Sequence, residues 1–227
     1  MNIFKTLAKY LFPPKCTFCR RVIEKDGVCD RCKKTLPYRA SWESKELPMF
    51  IDGVYSFFHY EGDVRNAIIR YKFGGLSKYA IDFSVYLDKM ITDTLGDKYD
   101  YISWVPLSKK RYKKRGYDQA KLLAEEVCNR LGMEATRTLE KIRDSAPQSR
   151  QADVSRRRAN ILGAYELSAV NVTGKRIVLI DDVLTSGSTV SECARILKTF
   201  GAEKVYVFTV AKARSRKKEL KNSENRL

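Results

Sequence analysis

The sequence predicts an α/β fold with a mainly parallel sheet flanked by helices, preceded by a small cysteine-rich element. Short apolar runs suited to buried strands alternate with helical patterns between residues 54 and 211. Near the N-terminus, cysteines occur in two Cys-x-x-Cys pairs. Because 227 residues can hold one α/β domain and a small appendage, we expect an N-terminal element at 1–48, the α/β domain at 49–212 and a basic tail at 213–227.

Residues 1–12 combine apolar side chains with Lys5 and Lys9. They lack the continuous apolar core and small-residue cleavage site of a signal peptide, so we interpret them as a short amphipathic helix that packs on the domain. No apolar stretch approaches the length needed to span a bilayer. We therefore expect a cytoplasmic protein.

The two cysteine pairs predict a metal site. Two closely spaced Cys-x-x-Cys units are typical of tetrahedral thiolate coordination of Zn²⁺, and four protein ligands leave no open position for catalysis. Disulfides are the alternative, but they suit an exported chain better than one without an export signal. We expect a structural Zn²⁺ held by four ligands: Cys16, Cys19, Cys29 and Cys32. Cys128 and Cys193 stand alone in helical patterns and are interpreted as buried apolar side chains.

The other elements follow in chain order. The polar segment 33–48 looks like a connector, and strand-like alternation at 54–60 includes the single histidine, His59. Helices are expected at 64–71, 78–94 and 117–131, with a strand at 101–106 and a basic loop at 107–116. The long polar segment 141–160 is typical of a mobile lid or a disordered loop. A short strand at 163–167 and a final βαβ unit at 176–182, 188–200 and 204–211 complete the prediction.

Residues 177–189, Ile-Val-Leu-Ile-Asp-Asp-Val-Leu-Thr-Ser-Gly-Ser-Thr, suggest the ligand. Amides at a helix N-terminus favour a phosphate, and the loop before the predicted helix supplies Thr185, Ser186, Gly187, Ser188 and Thr189. Asp181 and Asp182 can accept hydrogen bonds from a sugar diol or help hold a hydrated divalent cation. Phosphate at one end and diol at the other describe a ribose 5-phosphate. The alternative without a ligand site is a strand that ends in a solvated acid pair. The P-loop and dinucleotide-binding fingerprints are absent from the sequence.

The net charge of +17, from 44 basic and 27 acidic residues, favours polyanionic partners. Charge alone does not distinguish DNA, RNA or a phosphorylated small molecule. The cations concentrate at 109–115, at 150–158 and in the tail from residue 212. A solvated end is the default interpretation of the tail, whereas the first two groups lie close to the predicted sugar-phosphate site.

The run at 177–189 resembles the signature of type I phosphoribosyltransferases, which bind phosphoribosyl pyrophosphate (PRPP). The cysteine pairs, Val105-Pro106-Leu107-Ser108 and the segment Arg-Gly-Tyr-Asp-Gln-Ala at 115–120 make the order of motifs similar to the ComF/ComFC family of competence proteins, which includes GntX-like proteins. The resemblance extends from residue 11 to about residue 212. It implies a type I phosphoribosyltransferase-like domain that binds PRPP with Mg²⁺, joined to a zinc-binding element.

The resemblance also implies roles for individual residues. Asp181 and Asp182 would be the catalytic pair that holds the ribose hydroxyls. The segment 106–116 would hold pyrophosphate, and 141–158 would contribute a flexible loop with Gln148 and Arg156, Arg157 and Arg158. The candidates for pyrophosphate and flexible-loop contacts are Lys109, Arg115, Lys141 and Arg143. The candidates for nucleic-acid binding are Lys110, Arg111, Lys113 and Lys114.

Three functions remain open at this point. The first is a binding module for PRPP and single-stranded DNA in natural transformation, with other competence proteins at the cytoplasmic face of the membrane as further partners. The second is an active phosphoribosyltransferase acting on a nucleobase or amine, and the third is a regulator whose nucleic-acid affinity responds to PRPP. Segment 33–50 shows no base-reading pattern, although its side chains could stack on bases or pack in the core: Tyr38, Arg39, Trp42, Met49 and Phe50.

Overall fold

The computed structural model describes residues 13–143 and 161–214. The amphipathic helix expected at 1–12, Gln148, the arginines at 150–158 and the tail from 215 onward lie outside the described residues. No helix within the described ranges is long and apolar enough to cross a membrane.

The described chain alternates strands and helices, as the sequence predicts. The strands are β1 (Gly53–His59), β2 (Tyr101–Trp104), β3 (Leu139–Lys141), β4 (Tyr165–Leu167), β5 (Arg176–Leu184) and β6 (Lys204–Lys212). The helices are α1 (Asp30–Thr35), α2 (Gly62–Phe73), α3 (Tyr79–Leu95), α4 (Lys109–Arg115), α5 (Gln119–Leu131) and α6 (Ser188–Thr199).

The central sheet is parallel and has the strand order β1-β6-β5-β2. Strand β5 lies inside it, with Ile180 opposite Trp104 of β2 on one side and Phe208 of β6 on the other. A strand buried on both faces needs a continuous apolar run rather than alternation, and residues 177–180 supply it without solvent exposure. Strands β3 and β4 form a separate antiparallel ribbon.

Two apolar cores cover the two faces of this sheet. Val178 and Ile180 of β5 belong to the core that contains α2, α3, α5 and part of the cysteine element. Ile177 and Leu179 point to the other core, which contains α6. The helical face expected at Val190, Ala194 and Leu197 is buried there. Cys128 and Cys193 are fully buried, as expected for apolar side chains, and His59 ends β1 as part of the strand.

The structure differs from the expected basic loop at 107–116, because most of that segment is the short helix α4. The Ser108 side chain caps its N-terminus by accepting a hydrogen bond from the Arg111 amide at 3.4 Å. At the other end Gly116 takes the left-handed conformation, with φ of 82°. No residue of α4 is buried, so apolar periodicity could not have predicted this helix.

The segment interpreted as a connector lies along the outer edge of the sheet. Tyr38 forms a bridge with Phe58 of β1, and Glu43 forms one with Tyr55. The cysteine element contributes Phe18, whose ring lies 5.6 Å from that of Phe58 in an edge-on contact. The residues before β1 therefore pack against β1 and contribute to the core beside it.

Candidate functional site

A cavity of about 460 Å³ opens at the carboxyl ends of β2 and β5. This is where ligands bind in open parallel sheets. The loop after β2 contributes Pro106 and Leu107, and the start of α5 contributes Gln119. We call this space the first cavity. Seven charged side chains from distant parts of the sequence meet in its wall: Lys72, Arg111, Arg115, Asp118, Lys141, Asp181 and Asp182.

The acid pair stands at the end of β5, where the sequence predicts it, although the strand continues to Leu184. Both carboxylates line the first cavity, and Asp182 is only 6% exposed. Burial and the neighbouring charge of Asp182 raise the pKa of Asp181 to about 7. The pair thus combines a buried carboxylate with one that binds a proton readily at neutral pH.

Lys72 of α2 supplies the opposite charge. Its Nζ lies 2.8 Å from Asp182 Oδ1, and the two side chains are 20% and 9% exposed. Burial alone would lower the pKa of Lys72, but the charges of Asp182 and Asp181 outweigh that effect and raise it. Sequence reasoning missed this residue, because nothing in the local pattern at 62–73 distinguishes it from a solvated helix lysine.

The hydroxyl-rich loop leads into α6, as predicted. Gly187 is the residue before the helix, with φ of 76°, and the Ser186 and Ser188 hydroxyls lie 3.0 Å apart. Thr185 and Thr189 line the first cavity, and their contact with a phosphate stays a prediction. The Pro48 ring leaves no room for a side chain at Gly187, since an added Cβ would lie 2.7 Å from Pro48 Cγ.

The Arg-Gly-Tyr-Asp-Gln-Ala segment fixes the wall opposite the acid pair. The Asp118 carboxylate accepts hydrogen bonds from the Leu107 amide at 2.8 Å and the Lys121 amide at 3.2 Å. It therefore caps α5 and also anchors the segment that carries α4. Arg115 donates to Gln119 Oε1 at 2.6 Å, which holds its guanidinium beside the cavity.

The structure separates the basic candidates into groups. Arg111, Arg115 and Lys141 line the first cavity. Lys109 and Lys113 line a second cavity on the other side of α4, which Lys141 also borders. Lys110 and Lys114 line neither cavity, and Arg143 donates to the Leu162 carbonyl.

The four predicted metal ligands lie together. Their sulfur atoms all fall within 4.8 Å of one another, and those of Cys19 and Cys29 are 3.7 Å apart. Zinc–sulfur bonds of about 2.3 Å in a tetrahedron place sulfurs about 3.8 Å apart. Burial would raise the pKa of Cys16, but hydrogen bonds from the Cys29, Cys19 and Phe18 amides lower it to about 7. Burial raises the pKa of Cys19 and of Cys32, so the case for a metal ion rests on the sulfur geometry. These residues fit a thiolate-bound metal ion such as Zn²⁺.

Helix α2 contacts both the cysteine element and the acid pair. The Arg70 guanidinium donates to the Thr17 carbonyl at 3.0 Å and to the Phe18 carbonyl at 2.5 Å. Lys72, two residues later, carries the ion pair with Asp182. The position of the cysteine element and that of the Lys72 ammonium therefore depend on the same helix.

The side chains before β1 that could stack on bases fall into two classes. Trp42 stacks on Phe57 with centroids 5.2 Å apart, and Tyr38 contacts Phe58 at 5.2 Å while keeping 38% exposure. Met49 and Phe50 are 58% and 44% exposed. The first two pack against the protein, whereas the last two remain open to solvent.

The chain is similar in sequence to one domain family and to several known proteins. Residues 117–227 match the phosphoribosyl transferase domain family. The chain is 29% identical to Competence protein F of Haemophilus influenzae over 87% of this chain and 90% of that protein. It is 35% identical to the DNA utilization protein YhgH of Salmonella typhi over 50% of this chain, and the match spans about half of that protein's length, 49%.

Among solved structures, the glutamine PRPP amidotransferase of B. subtilis, complexed with ADP and GMP, is 21% identical with a TM-score of 0.39. That match covers 59% of this chain and 30% of the amidotransferase chain. The chain belongs to the ComF family, within the phosphoribosyltransferase superfamily.

Proposed function

We propose that this protein binds PRPP or a related phosphoribosyl ligand in the first cavity and binds single-stranded DNA on its basic surface, as part of DNA uptake in natural transformation. The observation that carries the proposal is the meeting, in one cavity, of the acid pair, the hydroxyl-rich loop and the arginines of α4. Each matches one part of a phosphoribosyl ligand: diol, 5-phosphate and pyrophosphate.

The placement follows from charge. The loop at the start of α6, with Thr185 and Thr189 facing the cavity, suits the 5-phosphate because helix N-termini favour anions. Asp181 and Asp182 repel phosphate but accept hydrogen bonds from the ribose hydroxyls. Arg111 and Arg115 line the same cavity and suit the pyrophosphate.

Mg²⁺ belongs in this proposal as a partner of the pyrophosphate. Oxygen ligands from substrate phosphates and one or two carboxylates are its usual environment, and Asp181 and Asp182 are the carboxylates of the cavity. When bound, the ion would offset the charge of the pyrophosphate. Lys72 already offsets one carboxylate, which reduces repulsion between the acid pair and an anionic ligand.

Calorimetric titration with PRPP and MgCl₂ tests the first part of the proposal. We expect saturable one-site binding that the Asp181→Asn/Asp182→Asn variant weakens at least about tenfold, since each lost hydrogen bond to a charged group contributes about 1.5–3 kcal/mol. Asp93→Asn removes an exposed carboxylate of α3 that pairs with Lys89 and serves as the control. Absence of binding to the wild type, or equal affinity in the double variant and the control, would overturn the assignment.

The nucleic-acid part is supported by charge and by the relatives. Six of the seven residues of α4 are basic, and the relatives include Competence protein F and a DNA utilization protein. Filter binding should show affinity for single-stranded DNA that falls steeply with salt. Charge reversal at Lys109, Lys110 and Lys113 should weaken this affinity and lower its salt dependence. Unchanged binding would remove α4 from the interface.

Phosphoribosyl transfer in the first cavity is the second candidate, favoured by the cations of α4 that face the acid pair. The bond from the ribose anomeric carbon to pyrophosphate would break as a bond to an acceptor nitrogen forms, and Arg111 and Arg115 would receive the charge on the departing pyrophosphate. Incubation with PRPP, Mg²⁺ and a panel of nucleobases and amines, followed by pyrophosphate measurement, tests it. Pyrophosphate release no faster than from PRPP alone would refute turnover with those acceptors.

A further inference from the structure

The second cavity has no role in the function proposed so far. It measures about 790 Å³ and lies between β2, α4 and α5. Its apolar lining includes Trp104, Cys128, Met133 and Ala135. Tyr112 of α4 borders it with 51% of its surface exposed. This space therefore combines an apolar floor with an aromatic ring at its mouth.

Helix α4 separates the two cavities. Side chains three and four residues apart share a face of a helix, so Arg111 and Arg115 face the first cavity. By the same spacing Lys109, Tyr112 and Lys113 face the second. An anion held in the first cavity and a ligand in the second would thus contact opposite sides of one short helix.

The charge around the second cavity is uneven. On the side of α5 and the β2–β3 connection, Lys121 pairs with Glu125 at 3.3 Å and Arg137 with Glu140 at 3.1 Å. Glu134 also lies on that side. On the side of α4, no carboxylate among residues 13–143 and 161–214 forms an ion pair with Lys109 or Lys113. These two ammonium groups remain available to an anionic ligand.

The chemistry that fits is a nucleobase attached to phosphates. Aromatic side chains stack on bases of any sequence, and flanking lysines bind the backbone phosphates. A base must be unpaired to enter a cavity, because in a duplex its faces are covered by its neighbours. An acidic peptide would use the lysines but would leave the aromatic mouth and the apolar floor without a partner.

We propose that the second cavity receives an unpaired base of single-stranded nucleic acid, stacked on Tyr112, with the adjoining phosphates on Lys109 and Lys113. The proposal rests on the nucleic-acid binding proposed above and gives it a location. The other two exposed lysines of α4, Lys110 and Lys114, line neither cavity and contribute general attraction only.

Fluorescence anisotropy with a labelled oligothymidylate, and with the same backbone made of abasic residues, tests the proposal. Tyr112→Ala should weaken binding of oligothymidylate by about 5- to 150-fold, the range found for loss of one stacked base. It should leave the abasic strand unaffected, and Tyr112→Phe should bind both strands like the wild type. Lys109→Gln/Lys113→Gln should weaken binding of both strands more than Lys110→Gln/Lys114→Gln does. Because α4 buries no side chain, all variants should keep the wild-type thermal midpoint.

Two results would overturn the base site: an equal effect of Tyr112→Ala on the two strands, or wild-type affinity for duplex DNA equal to that for the single strand. The base site would also be refuted if polyglutamate competed as well as an unlabelled oligonucleotide, because the surface would then recognise charge alone. If the wild type binds no oligonucleotide but still binds PRPP, the nucleic-acid half of the proposed function fails together with this site. If it binds and Tyr112→Ala changes nothing, the location alone fails.

Discussion

Replacement of Lys72 by methionine isolates the charge that opposes the acid pair. Methionine keeps most of the apolar stem of the side chain and removes the ammonium that lies 2.8 Å from Asp182. Asp182 then remains in a largely buried position beside Asp181, and no other cation among residues 13–143 and 161–214 forms an ion pair with it. Breaking a buried ion pair by removing one partner costs about 3–5 kcal/mol.

The expected loss is somewhat smaller here, because Lys72 keeps 20% exposure and the acid pair borders a cavity. We expect the free energy of unfolding to fall by about 2–3 kcal/mol at pH 8. For a chain of this size that corresponds to a fall of about 4–12 °C in the unfolding midpoint. The loss should shrink as pH falls below the raised pKa of Asp181, about 7, because a proton on the acid pair can replace the missing charge.

Thermal unfolding followed by circular dichroism, at about pH 8 and at about pH 5, measures this effect. The matched control is Lys78→Met, which breaks an ion pair with Asp26 whose side chains are 57% and 66% exposed. An exposed pair contributes about 0–1 kcal/mol, so the control should change little at either pH. Equal losses in the two variants, or a Lys72→Met loss that does not depend on pH, would refute the reasoning.

Three further predictions concern the acid pair, the phosphate loop and the metal. The pKa of Asp181 is raised from 3.8 to about 7. At pH values between these two, the native chain keeps a proton on Asp181 that the unfolded chain has released. Wild-type stability should therefore fall from pH 4 to pH 7 relative to Asp181→Asn, by a few kcal/mol at most in urea unfolding, and parallel curves would contradict this. Gly187→Ala should lower the free energy of unfolding by about 1–3 kcal/mol, more than Gly174→Ala does, because both glycines have positive φ but only Gly187 has Pro48 where the added Cβ would lie. Equal losses in the two variants would show that the Pro48 contact adds nothing. Chelation should lower the unfolding midpoint and release about one Zn²⁺ per chain. The Cys16→Ser variant should release less zinc per chain, whereas the control Cys128→Ala should release as much as the wild type. Release of no metal from protein purified with zinc would contradict the site.

Local sequence signals were sufficient for the parallel sheet and for the central part of the site. The apolar run at 177–180, the acids and the hydroxyl-rich loop are contiguous, so their positions follow from one strand and one helix. The cysteine pairs are equally local. Residues of this kind can be located without knowledge of the tertiary fold.

The remaining features depend on contacts between distant segments. Lys72 reaches Asp182 across more than a hundred residues, and Pro48 meets Gly187 across a similar separation. Neither contact leaves a periodic pattern in the sequence. Helix α4 was missed for another reason: it is held by its caps and by Asp118 rather than by burial, so it carries no apolar stripe.

The segment along the outer edge of β1 bears on how this protein behaves when it is cut. A sheet edge with free amides and carbonyls is a template for pairing with other chains. Bridges from Tyr38 and Glu43 occupy that edge, and Trp42 covers Phe57. A fragment starting at β1 would expose both the edge and the ring, which favours self-association. Preparations of the α/β domain alone should therefore aggregate more readily than the whole chain.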